Sequence, residues 1–236
     1  MSKELKTVLT KERKDLLFLH GYLADRNSFN YQLGFFDRDF NVFAPDLKGF
    51  GKNRGMDYPY SLDDYLLEVK EFIYKNGLKK PHVIAHSFGG RIAIKGAATC
   101  PNLFDKLVLT GCAGLKPKRT LKSRCKKVCF SVLKNFVPRK KLKMFYSKDY
   151  LALGGVMRQS FSLIVKEHLD GYLDKIENRT LIVFGKDDKE TPVYMAKRLH
   201  RGIKNSSLIL FDGAGHFCFI DKPLKFNTEV KEFLLS

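Results

Sequence analysis

The chain has 236 residues, of which 44% are hydrophobic and 29% are charged, and its formal net charge is +18. This length and composition are typical of one folded domain with a sizeable core. No apolar run approaches the roughly 18 residues that a membrane span requires, and residues 1–4 (MSKE) begin no signal peptide, so we expect a cytoplasmic protein.

Short apolar runs alternate with amphipathic stretches over the first 110 residues, which predicts an α/β fold around a mostly parallel sheet. Ser61, followed by two aspartates, predicts the start of one helix, and Gly77 predicts its end. In chain order we predict a strand at residues 16–19, a helix at 28–36, a strand at 41–44, a helix at 62–76, a strand at 81–85, a helix at 88–99 and a strand at 107–109.

The alternation stops between residues 112 and 172, where we expect helical or irregular structure without strands. It then resumes with a strand at residues 181–184, a helix at 193–202, a strand at 208–211 and a helix at 226–235. We therefore predict a core of residues 1–111 and 173–236, with a sheet of six or seven strands flanked by helices. Residues 112–172 form an insertion in that core.

Ser87 lies between a predicted strand and a predicted helix, in the motif of residues 85–90 (AHSFGG). A serine at such a sharp turn exposes its hydroxyl, and the helix start behind it places backbone N–H groups near developing negative charge. Ala85 and Gly89 are small enough to let the strand and the helix approach closely.

Four further motifs accompany this one in a fixed order. They are residues 20–22 (HGY), 45–51 (PDLKGFG), 185–192 (GKDDKETP) and 213–217 (GAGHF). With this order and spacing the chain resembles the α/β-hydrolase superfamily over nearly its whole length. One departure is that Ala85 replaces the first glycine of the usual G-x-S-x-G, and the turn should still close around so small a side chain.

The resemblance implies a serine hydrolase whose triad follows the family's chain order of serine, acid and histidine. Ser87 would be the nucleophile and His216 the base that takes its proton. Asp188 would fix the tautomer of His216 and stabilise the imidazolium. Asp187 is the competing acid, and the family spacing favours Asp188.

Backbone N–H groups should form the oxyanion hole, which stabilises the charge on the attacked carbonyl oxygen. We expect these donors to be the N–H of Phe88 and the N–H of Tyr22, with Leu23 as the alternative to Tyr22. His20 is interpreted as a structural turn residue, and His86 as a packing residue beside the elbow.

The excess positive charge belongs to one segment. Twelve Lys and Arg residues and no acidic residue lie between Lys116 and Lys143, so the remaining chain carries only +6. The resemblance implies that the insertion is a cap over the active site. Its apolar positions have helical spacing: Leu121, Cys125, Val128, Cys129, Val132, Leu133 and Phe136.

Three interpretations of the basic face stay open: a solvated surface, attraction of an anionic substrate or acidic partner, and transient contact with an anionic membrane. The segment carries no interleaved aromatic platform, so we expect no nucleic-acid partner. Later in the insertion, Phe161, Ile164, Val165 and Leu169 have helical spacing and face either the pocket or the core. Cys125 has no histidine nearby, so we expect no metal site there.

The leading functional prediction is a carboxylesterase-like enzyme that forms an acyl-enzyme on Ser87 without a cofactor or metal. Its substrate would be a small ester, thioester or lactone, an anionic molecule included. One alternative is a ligand-binding signalling protein that keeps the fold and the triad. Another is a C–C hydrolase or lyase acting on an anionic small molecule. Dehalogenases and epoxide hydrolases of this superfamily use aspartate as nucleophile, so the serine argues against both.

Overall fold

A computed structural model of the chain describes residues 13–118 and 154–236. Within these residues, six parallel strands form one sheet in the order β2-β1-β3-β4-β5-β6. The strands are β1 (Asp15–Leu19), β2 (Asn41–Phe43), β3 (His82–His86), β4 (Leu107–Thr110), β5 (Thr180–Gly185) and β6 (Ser206–Phe211). The predicted α/β architecture is therefore confirmed, with six strands in the described part of the chain.

Helices flank this sheet. They are α1 (Asn30–Phe36), α2 (Leu62–Lys75), α3 (Phe88–Thr99), α4 (Gly155–Lys166), α5 (Val193–Gly202), α6 (Cys218–Asp221) and α7 (Pro223–Leu235), with 3-10 helices at Arg26–Phe29 and Asp170–Lys175. The helix predicted at residues 28–36 begins as the first 3-10 helix. The short helix α6 was not predicted, because four residues are too few to show a periodicity.

Helix α2 begins and ends where its sequence signals predict. The Ser61 hydroxyl accepts from Asp64 N at 3.3 Å, and the Asp64 carboxylate accepts from Ser61 N at 2.7 Å. This reciprocal pair is a capping box, which satisfies two backbone donors at the helix start. After the helix, Gly77 has a φ of +64°, a conformation that glycine adopts at little cost.

The core has two layers, one on each face of the sheet, because successive strand residues point to opposite sides. In β3, Val83 and Ala85 belong to the layer that contains α2 and α3. Ile84 belongs to the opposite layer, with aromatic side chains of α1 and α7.

The chain order of the strands creates a switch point in the sheet. The chain starts at β1, moves to the edge strand β2, and returns to β3 on the other side of β1. The connections therefore diverge from the carboxyl ends of β1 and β3, and such a crevice is the usual ligand site of an open α/β sheet. His20 follows β1 and Ser87 follows β3, so the fold brings these motifs together.

Only the flanks of the predicted cap fall within the described residues. Residues 119–153, which include Cys125, Cys129 and most of the basic segment, lie outside them. Residues 112–118 contain no helix or strand, and Gly154 precedes α4. The division into a core and a cap at residues 112–172 therefore stays a prediction. No helix in the described ranges is long and apolar enough to cross a membrane.

Candidate active site

Ser87 has a strained backbone at the turn between β3 and α3. Its φ is +49° and its ψ is −105°, in a region that residues with a side chain rarely occupy. The surrounding backbone holds it there, because Ser87 N donates to Thr110 O at 3.1 Å and Ala113 N donates to Ser87 O at 3.1 Å. Ser87 thereby lies between the end of β3 and the start of α3, where it lines a cavity.

Gly89 and Gly90 make this turn possible by close packing. A Cβ atom at Gly89 would lie 2.2 Å from Leu19 O, and one at Gly90 would lie 2.3 Å from Cys112 Sγ. Gly89 N also donates to His20 O at 3.1 Å, which ties the start of α3 to the end of β1. Ala85, the departure from the usual motif, is fully buried in β3, so its methyl group fits within the core.

His216 and Asp188 are brought together by the loops that follow β6 and β5. The distance between His216 Nδ1 and Asp188 Oδ2 is 2.9 Å. The Thr191 hydroxyl also donates to Asp188 Oδ2 at 2.7 Å. Burial alone would raise the pKa of Asp188, but hydrogen bonds from His216 and Thr191 hold it below its ordinary value. A charged carboxylate in this position keeps the proton of His216 on Nδ1 and leaves Nε2 to act as a base.

Asp187, the competing acid, lies away from this arrangement. Its side chain is exposed, and its backbone N–H donates to Ala214 O at 2.9 Å. Asp188 is instead only 4% exposed. The structure therefore places Asp188, and not its neighbour, against the imidazole of His216.

Ser87 and His216 line one cavity of about 420 Å³ at the carboxyl end of the sheet. Much of the described wall is apolar, formed by Leu23, Phe88, Ala113, Phe161, Ile164, Val165 and Phe217. Three of the four residues predicted to face either the pocket or the core are therefore in the pocket wall. Leu169 is instead fully buried and packs near Gly114.

Tyr22 and Phe88, the expected oxyanion-hole residues, both line this cavity. Their rings contact edge to face, with centroids 5.4 Å apart. Phe88 is the first residue of α3, so its backbone N–H has no partner within the helix. The Gly21–Ala24 turn carries Tyr22, and in this turn Leu23 has a φ of +59°. The Tyr22 hydroxyl donates to Met157 O at 3.0 Å, which sequence reasoning missed.

His20 is a structural residue, as the sequence suggested. Its Nε2 accepts from Leu47 N at 3.0 Å, while its Nδ1 lies 2.8 Å from Gly21 O. These contacts bind the loop after β2 to the turn that carries Tyr22. Burial lowers the pKa of His20, which favours the neutral ring that these two contacts require.

His86 has a larger role than the packing role that the sequence suggested. Its Nε2 donates to His216 O at 3.1 Å, and the centroids of the two imidazole rings are 4.7 Å apart. Its ring also contacts Phe217 and Phe219, with centroids 4.8 and 5.0 Å away. His86 therefore joins the nucleophile turn to the loop of His216. No local pattern could have shown this, because the two segments are 130 residues apart.

His86 should make the free energy of unfolding depend on pH. Burial, with the neighbouring His216, lowers its pKa from 6.5 to about 3. Between these values the unfolded chain binds a proton that the folded protein excludes, so stability falls as the pH falls from 6.5 toward about 3. His86→Asn removes this titration and is expected to flatten the dependence by up to about 1.4 kcal/mol per pH unit.

Urea unfolding of the wild type and of His86→Asn between pH 4 and 7 measures how steeply the free energy of unfolding depends on pH. His82→Asn provides a parallel case, because burial lowers the pKa of His82 to about 4. His82→Asn should reduce the pH dependence of the free energy of unfolding over a narrower range, between pH 6.5 and about 4. An unchanged slope in His86→Asn would contradict the buried, neutral state of His86.

Two cations on α3 fix the segment that follows the undescribed residues. Arg91 Nη1 donates to Ile164 O and to Glu167 O, both at 2.9 Å. Lys95 Nζ lies 2.7 Å from carboxylate oxygens of both Asp63 and Glu167. A cation at the carboxyl end of a helix is stabilised by the helix dipole, so Arg91 holds α4 against α3. The sequence feature that could have indicated this role is the pair of charges at Arg91 and Lys95, four residues apart in an otherwise apolar helix.

No group of three or more His, Cys, Asp or Glu side chains within residues 13–118 and 154–236 is arranged to hold a metal ion. The cysteines described there, Cys100, Cys112 and Cys218, form no disulfide. Burial raises the pKa of Cys112 to about 12 and that of Cys218 to about 11. Both thiols are therefore poor nucleophiles, and neither residue lines the cavity that Ser87 lines.

Comparisons with known proteins identify relatives of the chain among hydrolases. Over 94% of its length, the chain is 26% identical to the uncharacterized hydrolase YugF of Bacillus subtilis strain 168, and the match spans 90% of that protein. It is also 26% identical to 2-hydroxy-6-oxononadienedioate/2-hydroxy-6-oxononatrienedioate hydrolase 1 of Pseudomonas putida, over 83% of this chain and 77% of that one. Both of these relatives are hydrolases by name.

Among solved structures, the esterase EaEST of Exiguobacterium antarcticum superposes with a TM-score of 0.76 at 25% identity, over 95% of this chain and 93% of that one. Residues 16–229 match the model of the alpha/beta hydrolase family. This match covers β2 to β6, all of β1 except its first residue, and the three motifs that carry Ser87, Asp188 and His216. The chain therefore belongs to the alpha/beta hydrolase family.

Proposed function

We propose that this protein is a serine hydrolase that cleaves a small carboxylic ester, or a related thioester or lactone, through an acyl-enzyme. The observation that carries the proposal is the 2.9 Å contact between His216 Nδ1 and Asp188 Oδ2 in the loops beside a cavity that Ser87 also lines. A serine hydroxyl is a weak nucleophile without a base, and this contact prepares Nε2 of His216 for that task.

The reaction would proceed in two acyl transfers. Ser87 Oγ bonds to the substrate carbonyl carbon while its proton passes to His216 Nε2. The carbon–oxygen bond to the leaving alcohol then breaks, and Nε2 returns the proton to that oxygen. A water molecule, deprotonated by the same nitrogen, attacks the acyl-enzyme and releases the acid and Ser87.

Backbone donors would stabilise the negative charge on the carbonyl oxygen in each transfer. The N–H groups of Phe88 and Tyr22 are the proposed pair, in keeping with the position of both residues at the cavity. The apolar wall of the cavity suits an uncharged acyl chain. Residues 112–172 would form the cap over it, since α4 contributes Phe161, Ile164 and Val165 to the wall.

A second candidate is hydrolysis of a carbon–carbon bond in an anionic substrate. It is favoured by the Pseudomonas putida relative, whose name specifies a dioate as the substrate of that enzyme. The same serine, histidine and aspartate would serve this reaction. Comparing the turnover of esters with that of a 2-hydroxy-6-oxo-dienoate distinguishes the two candidates.

Active-site labelling tests the proposed nucleophile directly. A fluorophosphonate probe should add once to the wild-type protein, as measured by intact mass, and should not add to Ser87→Ala. Ser28→Ala, which changes a serine in the 3-10 helix before α1, should be labelled like the wild type. Equal labelling of Ser87→Ala would refute the assignment of the nucleophile.

Turnover of p-nitrophenyl butyrate should accompany this labelling. If Ser87 reacts with the probe but no ester in a panel of chain lengths is hydrolysed, the protein is better explained as a ligand-binding member of the family. Hydrolysis with a burst of p-nitrophenol would support the acyl-enzyme.

A further inference from the structure

Glu190 places a carboxylate beside the nitrogen that handles the proton in the proposed reaction. Its Oε2 lies 3.4 Å from His216 Nε2, and the residue lines the same cavity as Ser87. Its side chain is 67% exposed, so the carboxylate stands at the solvent side of the imidazole. Asp188, the other acidic partner of His216, is bound on the opposite nitrogen.

The backbone that carries Glu190 is fixed. Asp188 Oδ1 accepts from Glu190 N at 2.9 Å and from Thr191 N at 2.8 Å. The Thr191 hydroxyl lies 3.1 Å from Gly111 O, at the end of β4. Asp188 therefore has two contacts. Its Oδ2 contacts His216 Nδ1, and its Oδ1 holds the backbone of the turn that carries Glu190.

The other described charges of the cavity wall do not cancel this carboxylate. Arg91 is the cation of the wall, and it is 8% exposed and directs Nη1 to the carbonyls of Ile164 and Glu167. It thus faces α4, whereas Glu190 faces His216. His86 is neutral near pH 7, because its buried Nδ1 has no hydrogen-bond partner in the described part of the chain to receive a proton from it, and burial lowers the pKa of the ring to about 3.

The chemistry of acyl transfer says which part of a substrate meets Glu190. His216 Nε2 must deliver its proton to the oxygen of the leaving alcohol, so that oxygen passes within hydrogen-bond distance of Nε2. A group two or three bonds beyond the oxygen then lies close to a carboxylate that is itself 3.4 Å from the nitrogen. The acyl chain, on the other side of the carbonyl, extends away from it.

We propose that Glu190 is a specificity-determining residue that favours esters whose leaving alcohol carries a positive charge and disfavours those whose leaving alcohol carries a negative charge. This inference rests on the proposed function of the site. The inference concerns the leaving group only. It says nothing about whether the basic segment between Lys116 and Lys143 attracts an anionic acyl group. Because Glu190 is exposed, the preference is moderate and is weakened by salt.

Three butyrate esters with leaving alcohols of similar shape test the proposal. They are butyrylcholine, its neutral isostere 3,3-dimethylbutyl butyrate, and 2-sulfoethyl butyrate. The measured quantity is kcat/KM of each charged ester divided by kcat/KM of the neutral ester. Comparing this ratio between wild type and Glu190→Gln removes both the intrinsic reactivity of the esters and any general loss of activity.

Glu190→Gln is expected to lower the cationic ratio about three- to tenfold and to raise the anionic ratio by a similar factor. Added salt should reduce the wild-type preference toward the ratios of the variant. Glu177→Gln, which removes an exposed carboxylate outside the cavity wall, should keep the wild-type ratios.

The outcomes separate the two proposals. Hydrolysis of the esters with ratios that Glu190→Gln leaves unchanged overturns the role of Glu190 and leaves the proposed function standing. Hydrolysis of none of the esters by the wild type, with no labelling of Ser87, overturns both. An equal change of the ratios in Glu177→Gln would show a general effect of net charge and would also overturn the role of Glu190.

Discussion

Asp188→Asn is expected to lower kcat for ester hydrolysis by about 10⁴-fold while leaving the protein folded. The Asp188 carboxylate accepts from His216 Nδ1, and this contact is what leaves Nε2 without a proton. The asparagine oxygen would accept from the backbone N–H groups of Glu190 and Thr191, so its NH₂ group would face His216 Nδ1. The imidazole would then carry its proton on Nε2, which is the wrong tautomer for a base at that nitrogen. The measurement is the kcat of p-nitrophenyl butyrate hydrolysis, with circular dichroism to show that the fold is retained.

Asp187→Asn is the matched control for this prediction. Asp187 precedes Asp188 directly, but its side chain is exposed. We expect its kcat to stay within about twofold of wild type, in line with surface substitutions elsewhere. A large loss in Asp187→Asn together with full activity in Asp188→Asn would reverse the assignment of the acid, which the sequence alone left open.

Gly89→Ala is expected to destabilise the fold by about 3 kcal/mol or more. The new Cβ would lie 2.2 Å from Leu19 O and 2.6 Å from Leu19 C, which are backbone atoms of β1. A flexible side chain could move away, but a strand in the middle of the sheet cannot move without disturbing its hydrogen bonds to both neighbours. Urea unfolding followed by circular dichroism measures the change.

Gly34→Ala is expected to raise the free energy of unfolding, whereas Gly89→Ala lowers it. Gly34 lies in α1, and a Cβ there would meet no atom within 4 Å. Alanine is the better helix former, so we expect a gain of about 0.5–1 kcal/mol in the free energy of unfolding. A similar loss in both variants would mean that replacing a glycine is harmful for reasons unrelated to the contact with Leu19.

Local signals predicted the fold well because they act over a few residues. The capping box at Ser61 and the positive φ at Gly77 were visible as single residue types at the ends of one periodic segment. The strands were visible because they contain short apolar runs, and β3, β4 and β5 are buried along their whole length. Even α3, with both bounds correct at Phe88 and Thr99, was recognisable as the largely apolar stretch that follows the nucleophile motif.

The chain order of motifs led to Ser87, Asp188 and His216, but not to the contacts around them. The interaction of His86 with His216 O depends on two loops that meet only in the folded chain. The same is true of Arg91, whose carbonyl partners at Ile164 and Glu167 lie more than 70 residues away. Such partners follow from tertiary packing, and neither periodicity nor motif spacing contains that information.

The double use of Asp188 has a consequence for how this protein can diverge. One carboxylate oxygen contacts His216 Nδ1 and the other accepts from the backbone N–H of Glu190, so the turn keeps this hydrogen bond with any residue except proline at position 190. A glutamate codon becomes a glutamine or lysine codon by one nucleotide change. With the role of Glu190 proposed above, a lineage would exchange one class of leaving group for another in a single mutational step, while Ser87, Asp188 and His216 are inherited unchanged.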